Sequence, residues 1–192
     1  VVEYAKVTTD DILIRITATN RGPDPAELHL VPTLWFRNTW SWEPGRERPR
    51  LRVRNPARSP SVIEVDHDSL GRRWLFCEGA PALLFTENET NYQRLFAVPN
   101  ATPFVKDGIN DYLIHGRADA VNPAQVGTKA AAHYRLVIRP GEIVSVRLWL
   151  TDTLPSGEPF GRLFDEVFVQ RIREADEFYA TVITRTLSED AG

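Results

Sequence analysis

Residues 35–42, "WFRNTWSW", hold three tryptophans in eight positions, with Arg37 and Asn38 between the indoles. Flat aromatic faces beside fork-shaped hydrogen-bond donors suit a pyranose ring, whose apolar C–H faces are edged by hydroxyls. Trp40 and Trp42 share a parity, which predicts that they lie on one side of an extended loop. The same indoles would also serve to close the open end of a core or to pack against another domain, and both readings stand at this level. A second group is carboxylate. Glu87, Asp107 and Asp111 fall in one loop-rich region, with Asn110 beside them in "KDGIND". A hydrolytic carboxylate pair must face each other across a cleft, and spacing alone does not fix that distance. The simpler roles for these acids are turn and helix caps.

Little else in the chain has the pattern of a reaction centre. His29, His67, His115 and His133 are scattered, no two at metal-ligand spacing. His29 alternates with Leu28 and Leu30, which reads as a solvent-facing strand position. No nucleophile elbow, phosphate-binding loop or dinucleotide fingerprint occurs. Cys77 sits in an apolar run and reads as a small core residue. No catalytic residue, metal or cofactor is therefore expected from these residues.

The elements that must hold these side chains are mostly strands. "DILIRITAT" (11–19) alternates with a period of two, flanked by the turn-forming "TTDD" and "NRGPDP". Residues 1–35 accordingly read as a three-stranded antiparallel meander. The strand then gives way to a polar, arginine-rich segment with no apolar run. "SVIEVDH", "RRWLFCEG" and "PALLFTEN" are three further strands. "AAAHYRLVIRPGEIVSVRLWLTD" reads as a hairpin turning at Pro140-Gly141. Residues 88–127 have too few apolar positions for strands and read as short helical pieces in ordered loop. From 161 to 185, Phe164, Val167, Phe168, Ile172, Ala175, Phe178, Tyr179 and Val182 recur at three- and four-residue steps, which predicts one amphipathic helix. The fold class is mainly β: an antiparallel β-sandwich over 1–160, supersandwich-like, with short helices in a loop-rich insertion and a terminal helix in 161–192.

Composition narrows the function classes. The chain of 192 residues carries a net charge of -3, which gives no general attraction to nucleic acid or an anionic membrane. No apolar stretch approaches the roughly 20 residues of a spanning helix. One cysteine cannot make an internal disulfide, which fits a reducing cytoplasm. Asn88-Glu-Thr90 and Asn100-Ala-Thr102 match the glycosylation sequon without a secretory context. With no methionine, and with Val1 opening in mid-strand, the chain reads as a piece of a longer polypeptide.

Several long stretches carry a resemblance: "DILIRITATNRGPDPAELHLVPTLWFRNTWSW", "LLFTENETN", "VPNATPFVKDGINDYLIHGR" and "VNPAQVGTKAAAHYRL". Together they resemble the N-terminal region of large bacterial glucosidase-like proteins related to the processing mannosyl-oligosaccharide glucosidases, glycoside hydrolase family 63. "FDEVFVQRIREADEFYATVI" is similar to the helix that leads into their catalytic domain. The resemblance implies an antiparallel sandwich packed on an (α/α)6 barrel that hydrolyses α-glucosidic bonds with inversion. It carries no catalytic residue onto these positions, because the acids lie in the barrel. It implies that Trp40, Trp42 and the "KDGIND" loop wall a cleft or meet the barrel. The expected partners are that catalytic domain, an α-glucoside oligosaccharide, and a second copy through any apolar surface left bare.

Overall fold

The computed structural model describes residues 1–42, 45–54 and 59–183. Two antiparallel sheets pack face to face. The first runs β1 (Val2–Lys6), β2 (Ile12–Thr19), β11 (Ile143–Thr151), β7 (Gly71–Cys77), β6 (Ser61–His67), β5 (Arg50–Val53), β9 (Val126–Gly127), each bonded to the next. The second is built on β10 (Lys129–Ile138), with β8 (Ala82–Thr86) on one edge. On its other edge β3 (Ala26–Leu30) and β4 (Thr33–Trp35) lie end to end. Pro32 separates them: it has no N–H for a ladder, yet its carbonyl still accepts from Ala132 N at 3.0 Å.

Alternation sorts side chains into layers. Ile63, Val65, Leu75, Cys77 and Leu148 of the first sheet meet Phe85, Ala130 and Ala132 of the second in the sandwich core. The opposite parity of the first sheet presents Leu13, Val62, Trp74 and Phe76 to α3 (Arg162–Val182), which covers them with Phe164, Val167 and Phe168. On the outer face of the second sheet, Ala131 and Leu84 are covered by Ile109 of α2 (Gly108–His115) and by Val121. Ala130, Ala131 and Ala132 are all fully buried, because β10 is roofed on both faces and small side chains let the layers close. Each fully buried large apolar side chain contributes about 1.5–3 kcal/mol. Glu64, buried on the outer parity of β6, is neutralised by Arg52 at 2.9 Å and Arg72 at 3.4 Å.

Three expectations are corrected. The first three strands are not a meander: β1 and β2 pair in the first sheet, whereas β3 crosses over to pair with β10. Residues 129–151 are not a hairpin. β10 and β11 belong to opposite sheets, so Pro140-Gly141 turns an arch across the sandwich. Two apolar alternations flanking a tight turn look the same in either arrangement. The arginine-rich segment also holds a strand, β5, whose Leu51 is completely buried while Arg50 and Arg52 point outward. The short helices fall where expected, as α1 (Tyr92–Phe96), α2 and a 3₁₀ turn (Ala118–Ala120). The expected terminal helix is also present from Arg162 to Val182; the rest of 184–192 lies outside the described residues. No described helix is long and apolar enough to cross a membrane.

Candidate carbohydrate cleft

The tryptophan segment leaves β4 and folds into a tight turn, with Trp42 N donating to the Thr39 carbonyl at 3.2 Å. This turn overturns the expectation of an extended loop with both indoles on one side. Trp40 points inward and is 7% exposed, with Nε1 at 3.5 Å from Glu89. Trp42 points outward and is 61% exposed, under the Arg37 guanidinium at 4.8 Å. Asn38 fixes the turn: its amide donates to the Asn88 carbonyl at 3.0 Å and its side-chain oxygen accepts from Ser41 N at 3.2 Å.

Between this turn and the loop around α1 lies a cleft of about 870 Å³, walled by Trp35, Asn38, Trp42, Arg48, Asn88, Glu89, Tyr92, Lys106 and Lys129. Trp35 and Lys129 are cross-strand partners on the outer face of the second sheet, which sets indole and ammonium side by side. Trp35, as its parity requires, is exposed, while Leu34 packs into the sandwich core. Arg48 pairs with Glu89 at 3.0 Å. Lys106 Nζ donates to Thr90 Oγ1 at 3.3 Å, and Lys129 Nζ to the Lys106 carbonyl at 2.9 Å. Burial, and next the neighbouring Lys106 charge, hold the Lys129 ammonium below its ordinary pKa; Asp107 acts in the opposite direction.

Each carboxylate is held by its own partners. Asp107 accepts from Asn91 Nδ2 at 3.1 Å and pairs with Arg94 at 3.3 Å. It stands at the start of α2 without a side-chain cap, so the capping role expected of it is not filled. Asp111 pairs with Arg117 at 3.5 Å, Glu87 accepts from Thr128 Oγ1 at 2.7 Å, and Asn110 is exposed on α2. Gly108 lets that helix come close: a Cβ there would stand 2.2 Å from the Ala120 carbonyl oxygen. Asn88, the first sequon asparagine, has its amide nitrogen donating to the Phe36 carbonyl at 2.8 Å.

Of the residues singled out from sequence, the fold brings Trp35, Asn38 and Trp42 to the cleft, with Arg37 over the Trp42 ring. Trp40 and the acids fall outside its wall. Lys106, which opens the "KDGIND" loop expected at a cleft wall, does line the cleft, whereas Tyr92, Arg48 and Lys129 were missed. One signal was available: lysines number three in the whole chain, and two of them meet here. The fold also unites two scattered histidines, His133 Nε2 lying 2.9 Å from His29 Nδ1 on the outer face of the second sheet. Among the described residues no group of three or more His, Cys, Asp or Glu could hold a metal ion. Burial pushes the Cys77 thiol up to about 12, which leaves it protonated and inert.

No family model matches the chain. It is similar to the uncharacterized protein YMR196W of Saccharomyces cerevisiae, 32% identical over 94% of this chain and 20% of that protein. The chain thus spans about a fifth of the length of the relative it matches.

Proposed function

We propose that this chain is the non-catalytic sandwich domain of a glucosidase-like glycoside hydrolase, working in the cytoplasm. In this reading it braces an (α/α)6 catalytic domain of the same polypeptide and shapes that domain's carbohydrate cleft. The observation that carries the reading is the cleft wall, where Trp35, Trp42 and Tyr92 stay more than half exposed beside amide and cationic donors. Exposed aromatics grouped around one concavity mark a binding or interface surface. The apolar residues left bare on the second half of α3 offer the bracing surface. The resemblance to the sandwich regions of family 63 glucosidases supplies the reaction class, and the fivefold longer relative is compatible with a larger parent.

Two assays test this. Residues 1–192 alone should release only background glucose from aryl α-glucosides, kojibiose and maltose. The full-length parent should hydrolyse at least one of these, and Trp42→Ala in the parent should raise KM more than it lowers kcat. Turnover by the isolated chain that Asp107→Asn or Asp111→Asn abolishes would overturn the reading. A stand-alone carbohydrate-binding module is the second reading, favoured by the cleft being formed entirely by this chain. Sugar-dependent quenching together with an inactive full-length parent would select it.

A further inference from the structure

The aromatic wall of the cleft accounts for an apolar ring face but not for the charge beside it. Its one acidic side chain among the described residues, Glu89, is already neutralised by Arg48 at 3.0 Å. The carboxylate that acts on Lys129 from nearby, Asp107, is shared with Arg94 and Asn91. Among the described residues, Lys106 and Lys129 donate to neutral oxygens, a hydroxyl and a main-chain carbonyl. An ammonium has three donors, so both keep N–H groups that can turn toward a ligand. Two like charges set together, one of them half-buried, are costly without an anion between them.

We propose that the cleft binds an anionic sugar, a glycosyl phosphate or a uronate, with its charge between Lys106 and Lys129 and its ring against Trp35 and Trp42. This rests on the carbohydrate reading of the cleft and adds the charge of the ligand to it. Lysine is a compact point charge, suited to a phosphate or carboxylate approached from a wide angle, and the neighbouring indoles exclude water from one side. An anion bound there also reverses the pressure that burial and Lys106 put on the Lys129 ammonium.

The experiment is tryptophan fluorescence and calorimetric titration of this chain with α-D-glucose 1-phosphate, D-glucuronate, maltose and inorganic phosphate. At low salt at least one anionic sugar should bind about tenfold or more tightly than maltose, and added salt should erode that advantage. Whichever of the phosphate and the uronate binds more tightly identifies the group. Lys129→Gln and, independently, the exposed Lys106→Gln should abolish the preference, and Lys106→Arg should keep it. Equal binding of maltose and both anionic sugars would overturn the inference and leave the carbohydrate reading standing. Inorganic phosphate binding as tightly as glucose 1-phosphate would overturn it too, making the cleft an anion site without sugar contact. No response to any sugar would overturn the inference and, with it, the reading of the chain as a stand-alone carbohydrate-binding module.

Discussion

Trp40 and Trp42 stand two residues apart and meet opposite environments, because the Thr39–Trp42 turn rotates one inward and the other out. Trp40→Ala should cost about 3–5 kcal/mol in chemical denaturation, and Trp42→Ala should stay within about 0.5 kcal/mol. Iodide should quench a Trp42-only variant strongly and a Trp40-only variant weakly. His133 gives a second test at this scale. Partial burial, then the His29 and Arg135 charges, hold its folded pKa below the ordinary value of 6.5. A depressed imidazole contributes stability that is fully present above 6.5 and is lost as pH falls through the folded value. An NMR titration should place the His133 midpoint below 6.5, and replacing His133 with Gln should flatten stability across that window. Neither result was legible in the sequence beyond residue type. Parity put Trp35 outside correctly, but the turn at Trp40 rests on Asn38 contacts with Asn88, fifty residues away.

At the scale of elements, α3 is two helices in one. Its first two turns bury Phe164, Val167 and Phe168 against the first sheet, with Arg15 4.4 Å above the Phe168 ring and Glu3 gripping Arg15 at 2.8 Å. Beyond Ile172 the apolar residues are exposed: Phe178, Tyr179 and Val182 are each more than half accessible. Phe168→Ala should therefore cost about 3–5 kcal/mol, whereas Phe178→Ala should leave stability within about 0.5 kcal/mol. A Phe168→Ala cost under about 1 kcal/mol would mean the helix does not depend on this sheet. The three-and-four spacing was enough to predict the helix, since that period has one structural meaning over twenty residues. Strand pairing was less legible. Period-two runs say that a strand is half-buried, not which sheet receives it, and so both the meander and the hairpin were misplaced. β5 escaped notice because its two inward residues, Leu51 and Val53, alternate with arginines in a strand of only four.

The whole molecule is layered helix, sheet, sheet, helix; Leu95, Phe96 and Val98 are bare around α1, and a second bare apolar surface is the distal half of α3. That surface predicts concentration-dependent self-association of residues 1–192, seen as a rising apparent mass in light scattering, which Phe178→Glu with Val182→Glu should suppress. A strictly monomeric chain at all concentrations would show that these residues are tolerated in water. The layer order has a further consequence. β11 lies between β2 and β7, and β10 lies between the β3–β4 edge and β8, so each sheet is bridged by a strand made late in synthesis. A ribosome that has released only the first 120 residues has exposed β1–β2 and β5–β7 as unjoined pieces, with open edges and a half-built core. Neither sheet closes until residues 129–151 emerge, and the arch at Pro140-Gly141 then delivers the two missing strands to both sheets at once. Folding should accordingly be slow, dominated by long-range pairing, and concerted: truncation before Ile143 should leave an aggregation-prone chain rather than a smaller folded one.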